Sequence, residues 1–346
     1  YSSANINYTN KTLTVDFSIT DKFFSSTTVL NNKDNITVKL KDENITIPSN
    51  KISRTLTKIS DINETRNKTN YKIGETYRLV ISGLEQADGG TYRNYSGTMD
   101  VVFPSGIVKD GSGNSNDSKT ITIGINDPGS GNAQIVDVVD PVWKASNFTV
   151  DKANQKATVV LTANDKYYKS NSLTRDSITV KVGGTTVSSI AKQLSAPKTV
   201  TNGVQYTLTL TNWEESTRQS GKYYYEWSGN VSLVIAANTI EDNSGNKSKQ
   251  QTLTLGKADV LKPKIDNITV AQDKNKKTVT VGFDVSDKYL KTSTGFNVSN
   301  ISIYIDGENA TNGISKSLTH SNAGSNIVDG NTVVVRHHYV LTLSNF

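Results

Sequence analysis

Lys11-Thr-Leu-Thr-Val-Asp-Phe-Ser-Ile-Thr-Asp21-Lys-Phe-Phe24 occurs twice more in altered form. The echoes are Lys156-Ala-Thr-Val-Val-Leu-Thr-Ala-Asn-Asp165-Lys-Tyr-Tyr168 and Lys277-Thr-Val-Thr-Val-Gly-Phe-Asp-Val-Ser-Asp287-Lys-Tyr-Leu290. The shared aspartates lie 144 and 122 residues apart (165 − 21, then 287 − 165). In each copy apolar side chains alternate with polar ones, the period of a strand with one face buried. An aspartate and a lysine then end the run.

Four further landmarks keep the same order. Ile36-Thr-Val38 is matched by Ile178-Thr-Val180 and Ile301-Ser-Ile303. Tyr77-x-Leu79-x-Ile81 is matched by Tyr206-x-Leu208-x-Leu210 and Tyr339-x-Leu341-x-Leu343. Ser96-Gly97 returns as Ser228-Gly229, and Asp110-Gly-Ser-Gly-Asn114 as Asp242-Asn-Ser-Gly-Asn246. Five landmarks in one order identify an internal repeat. The third copy reaches Phe346 just after its Tyr-x-Leu-x-Leu strand and lacks the two strands that follow in the others. A fold so shortened exposes sheet edges and core unless strands come from elsewhere.

In the second copy the alternation predicts strands near 147–150, 156–163, 177–182, 186–194, 206–211, 231–240 and 248–255. Turn residues separate them, among them Gly183-Gly184, Asn202-Gly203 and Asn243-Ser-Gly245. Seven short strands in about 110 residues, with no capped helical period, fit an immunoglobulin-like β-sandwich. The predicted class is all-β, in tandem domains at 1–136, 137–258 and 259–346, the third one truncated.

The Lys-x-x-x-Val-x-Phe/Leu-x-x-x-Asp-Lys strand and the Asp-x-Ser-Gly-Asn hairpin resemble the repeats of bacterial immunoglobulin-like domains in large surface proteins and adhesins. The junction Asp140-Pro141 before Phe148-Thr-Val150 adds to the likeness, as does Pro263 before Ile268-Thr-Val270. The resemblance implies an extracellular stalk or fibre that projects a binding head or builds a filament. Its expected partners are neighbouring domains of the same chain, other copies in a fibre, and a glycan or surface protein. The alternative is a glycan- or protein-binding module, accessory to a secreted carbohydrate-active enzyme.

Composition narrows the function classes. There is no cysteine, so disulfides and thiolate metal sites are excluded. The net charge of +6 comes from 38 basic and 32 acidic residues without a long basic block, which does not suit a nucleic-acid binder. No apolar run approaches the roughly 20 residues that cross a bilayer. The chain starts at Tyr1 without a methionine and is read as an internal piece, so the lack of a targeting signal carries no information. The only histidines are His320, His337 and His338, expected at the surface or rim. Adjacent strand residues face opposite ways, so His337 and His338 do not line one site. The chain is expected not to be an enzyme and to carry no catalytic residues.

Two groups remain. With seven antiparallel strands, Asp165 and Asp242 fall at one pole, and the linker bearing Asp137 and Asp140 enters that pole. Converging carboxylates suit calcium, which takes six to eight oxygens; the competing reading makes Asp-x-Ser-Gly-Asn a hairpin turn, and Lys166 weighs against an anionic pocket. No other cofactor is expected. The second group is Lys222-Tyr-Tyr-Tyr-Glu-Trp227, aligned with Tyr92-Arg-Asn-Tyr95, at the opposite pole. Tyr223, Tyr225 and Trp227 either pack at the next junction, with Trp143 and linker residues as neighbours, or form a ligand contact.

Overall fold

The computed structural model describes residues 2–25, 30, 33–41, 43–85, 95–124, 136–215, 221–291 and 296–346. The protein is nearly all β, in several antiparallel sheets. The only helical pieces among the described residues are three 3-10 turns, Lys33–Asn35, Arg175–Ser177 and Val298–Asn300. Each precedes the Ile-x-Val/Ile landmark of its repeat.

In the first repeat one sheet runs in the order Ser3–Asn7, Thr12–Thr20, Thr69–Ser82, Ser53–Arg66. A second sheet runs Ile45–Thr46, Thr37–Leu40, Met99–Phe103, Lys119–Ile123. Both feed one apolar cluster: Leu13, Val15, Phe17, Leu79 and Ile81 from the first, Val38, Met99, Val101 and Ile121 from the second. The alternation causes this, since every other side chain on a pleated strand points to the same face.

The second repeat is built alike. Val142–Asp151, Lys156–Asn164, Gly203–Thr211 and Ala191–Leu194 form one sheet, with Lys198–Val200 also on Gly203–Thr211. Thr185–Thr186, Ile178–Val182, Gly229–Ile235 and Gln251–Ala258 form the other. The expected strand at 231–240 ends at Ile235, because Asn238 at φ +62° turns the chain. Ile240–Asp242 then pairs with Tyr168–Asn171 in a separate ribbon. The expected strand at 186–194 is likewise interrupted: Thr186 pairs with Lys181 in one sheet, and Ala191–Leu194 joins the other. The strand expected at 147–150 begins earlier and takes in Trp143, 2% exposed, whose indole Nε1 donates to Thr239 Oγ1 at 2.8 Å.

The core clusters divide the chain slightly later than the expected boundaries at 136/137 and 258/259. Val138 packs with the first cluster and Val260 with the second. Asp137 and Asp259 therefore sit on the closing edge of the preceding repeat, since their apolar flanks are held by its core.

The third repeat has one full sheet: Lys264–Asp273, Thr278–Ser286, Asn331–Ser344, Ser315–Val328. Beside it, among the described residues, stands only the ribbon Tyr304–Ile305 with Glu308–Asn309. Ile301–Ile303, expected as a strand, is not one. In the other repeats this segment pairs with Met99–Phe103 or Gly229–Ile235, and neither has a counterpart before Phe346. Its cluster holds four buried residues, Phe283, Ile314, Leu341 and Leu343, while Ile268 is 66% exposed.

Trp143→Ala should lower the unfolding free energy of the second repeat by about 3–5 kcal/mol, the usual cost of truncating a buried Trp. Guanidinium unfolding would show the second repeat's transition moving to lower denaturant while that of the first repeat stays put.

Candidate metal centres at the repeat junctions

Asp165 follows the strand Lys156–Asn164, and its Oδ1 accepts from Tyr167 N at 2.7 Å. Asp242 opens the hairpin: its Oδ1 accepts from Ser244 N at 2.9 Å and Asn246 N at 2.8 Å, and its Oδ2 from Asn246 Nδ2 at 2.8 Å. Gly245 sits at φ +87°, where a side chain would be strained. The turn role expected of Asp242 is therefore real, and it aims a carboxylate at the junction as well. Asp137 comes from the preceding repeat. Val136 and Val138 face that repeat's core, so alternation turns Asp137 toward the second repeat. Asn246 Nδ2 donates to the Asp137 carbonyl at 3.1 Å, and Ser244 Oγ lies 3.4 Å from Asp137 Oδ2.

Oxygens of Asp137, Asp165 and Asp242 lie within 4.8 Å of one another, and all three residues are fully buried. Burial, then the charges of Asp242 and Asp165, push Asp137 up to about 7. Burial also raises Asp242, despite its hydrogen bonds. The same centre reaches Tyr8, whose phenol is raised by burial and by Asp137 and Asp242. A hard divalent cation satisfies such an oxygen set by replacing lost hydration and screening the repulsion.

Asp140, expected in the same cluster, is not part of it. It pairs with Lys11 Nζ at 2.6 Å and Lys249 Nζ at 3.1 Å, so two cations already hold its charge. Lys166 does not neutralise the cluster in the way expected. Its Nζ donates to the Ser96 carbonyl at 2.8 Å and pairs with Glu43 at 2.6 Å, bridging back to the first repeat.

The second junction repeats this construction 122 residues on (259 − 137, 287 − 165). Asp259 and Asp287 replace Asp137 and Asp165, and Lys288 Nζ donates to the Ser228 carbonyl as Lys166 does to Ser96. The third carboxylate is Glu226, held by Ser228 Oγ and Lys288 N at 2.9 Å each. These oxygens too lie within 4.8 Å of one another. Burial and Asp287 push Glu226 up to about 7, and burial and Asp259 push Asp287 up to about 6. Sequence reasoning missed this centre. The 122-residue offset would have found Asp259 and Asp287. Glu226 lies within the aromatic stretch 222–227 placed at this pole, where sequence reasoning took up only its aromatic neighbours.

The aromatic stretch does not form a flat exposed row. Tyr224 is buried with Val328 and Val335 of the third repeat's long hairpin, and Tyr223 and Tyr289 pack beside them. Trp227 packs on the second core and under Lys222 Nζ at 4.5 Å. Tyr225 lies beneath Lys264 Nζ at 4.3 Å and lines a cleft of about 220 Å³ with Glu226 and Asp287. Trp143 is not a neighbour of this stretch: it pairs with Ala163 at the opposite pole. The aligned residues Tyr92, Arg93 and Asn94 lie outside the described residues.

His337 is buried rather than at the rim, because the rings of His320, His337 and Tyr339 pack together on the paired hairpin strands. His338 Nδ1 meets Asp284 Oδ1 at 2.7 Å, and Asp284 also pairs with Arg336. Compared with described protein families and with curated proteins, the chain matches none.

The raised carboxylates set a pH dependence. Each binds its proton more tightly folded than unfolded, so its contribution is full below the unfolded value near 4 and is lost as pH rises through about 6 to 7. In chelator, the melting temperature should therefore fall between about pH 4 and pH 7. Asp137→Asn and Glu226→Gln should each flatten that fall, as read by thermal melts across the range.

Proposed function

We propose that this chain is a structural segment of an extracellular, cell-surface stalk or fibre, made of immunoglobulin-like β-sandwich domains in tandem, with Ca²⁺ held at Asp137, Asp165 and Asp242. The observation that carries this reading is the repeated junction. Twice, an Asp from a repeat's tail meets an Asp at the head of the next, and a lysine after that Asp grips a Ser carbonyl behind it. A chain that served only as a tether would not need the same buried contacts at each joint.

The mechanism is mechanical. Each domain contributes about one strand length, roughly 25–30 Å for eight residues. Pro141 and Pro263 stiffen the connections by fixing φ. Force along the chain is borne by hydrogen-bonded sheets in shear, and the number of domains sets the reach of a head or the length of a filament. Calcium would supply the charge that lets three carboxylates share one dry junction. The competing binding-module reading needs Tyr223, Tyr225 and Trp227 free to meet a ligand; Tyr223 and Trp227 are instead packed within the chain, and Tyr225 lies beneath Lys264 at the edge of a cleft.

Calcium in hundredfold excess over its dissociation constant should stabilise the first junction by about 2.7 kcal/mol. A rise in melting temperature with Ca²⁺, absent in Asp165→Asn, is the expected result. Small-angle scattering should give an extended particle whose maximum dimension holds with Ca²⁺ and shrinks in chelator. A calcium-independent melt would remove the cation from this reading. A freely jointed scattering profile in both conditions would remove the stalk.

A further inference from the structure

The head of the second repeat shows what a repeat's front end receives. Val142–Ser146 pairs with Val160–Asn164, which places Trp143 between the two sheets with its indole on Thr239. Six residues earlier, Asp137 joins Asp165 and Asp242. One extended segment, Asp137-Val-Val-Asp-Pro141-Val-Trp143, thus supplies a strand, an anchor and a carboxylate. The next junction repeats its pattern as Asp259-Val-Leu-Lys-Pro263-Lys-Ile265.

The first repeat carries the receiving half of each contact. Its counterparts of Ala163 and Thr239 are Ile19 and Ile107, and these line an open, largely apolar cleft of about 310 Å³ together with Phe17, Leu30, Phe103 and Ile121. The correspondence is fixed by matching bonds: Asn116 N donates to the Val108 carbonyl as Ser248 N does to that of Ile240. Among the described residues Ser3–Asn7 pairs only with Thr12–Asp16. Phe17–Thr20 is therefore paired with Glu75 and its neighbours on one side and, among the described residues, with no strand on the other. Asp21 accepts from Phe23 N at 2.7 Å, and Asp110 from Ser112 N and Asn114 N at 2.8 Å. These are the turns of Asp165 and Asp242 again. Gly111 N donates to the Phe23 carbonyl, as Asn243 N does to that of Tyr167, so both loops stand side by side in each repeat.

We infer that the front end of the first repeat is a docking site for an extended segment of the chemistry Asp-x-x-x-Pro-x-apolar, the connecting segment of a further repeat of this kind. The inference rests on the tandem reading above and names what this edge and cleft receive. The segment adds as a strand along Phe17–Thr20, its bulky apolar side chain fills the cleft between the sheets, and its aspartate joins Asp21 and Asp110. Strand addition at an open edge takes affinity from main-chain bonds and specificity from the side-chain pocket. A second intact copy is not the occupant, because Asp137 and Trp143 are already buried in its own junction.

The test uses the whole chain, with Ca²⁺ present, and a fluorescent peptide copying residues 137–146. Anisotropy should show saturable binding, weakened roughly tenfold or more when the peptide's Trp is replaced by Ala, the scale of a buried aromatic anchor. Ile107→Trp, which fills the cleft from within, should abolish binding. Hydrogen exchange with the peptide bound should slow at Phe17–Thr20. No saturable binding, equal binding of the Ala peptide, or protection elsewhere would overturn the inference. None of these results bears on the scattering dimension, so its failure and that of the stalk reading are separable.

Discussion

A carboxylate taken into a dry junction loses its hydration, and three within 4.8 Å of one another repel besides. Everything at the first junction is arranged around that constraint. Asn246 spends its amide on the Asp242 carboxylate and the Asp137 carbonyl. The hairpin amides turn inward on Asp242, and still its carboxyl titrates high. Hydrogen bonds orient this group without cancelling the cost of its burial. What remains is settled by protons or by a cation, so the tightness of the joint depends on the solution in which it sits.

The two junctions solve this problem with different parts. The first draws its third carboxylate from the Asp-x-Ser-Gly-Asn hairpin of the repeat in front, the second from Glu226 of the repeat behind. The second is also wetter: Asp259 keeps a 24% exposed side chain near Lys152, and a cleft opens beside Glu226 and Asp287. It gains its own support from the hairpin Ser315–Ser344, which folds back so that Val328 and Val335 cover Tyr224, while Lys257 pairs with Asp329 at 2.9 Å. The second repeat has a shorter hairpin in that place, and the first junction relies instead on Lys11, Lys166 and Asp140.

Core size follows the same division. The first two repeats each close a cluster between two sheets, and their large side chains reach full burial. The third has one full sheet, and the apolar residues on Lys264–Asp273 stay in contact with solvent.

The sequence by itself determined the all-β class, the repeated Lys–Asp strands and the poles, though not the strand expected at Ile301–Ile303 or the full extent of those at 186–194 and 231–240. Period-two alternation is a local property, so Lys11–Phe24 and its echoes read as half-buried strands without knowledge of their partners, and counting strands puts Asp165 and Asp242 at one end. The turn role of Asp-x-Ser-Gly-Asn is equally local, since its bonds close within five residues. Only the tertiary structure decided which linker side chains turn inward. Asp137 and Asp140 look equivalent in the sequence, but Val136 and Val138 bury against the first core and so aim Asp137 alone into the cluster, while Lys11 and Lys249 draw Asp140 aside. Glu226, the seat of Trp143 and the burial of Tyr224 depend likewise on contacts between residues far apart in the chain, where facing surfaces and not neighbouring letters set each side chain's surroundings.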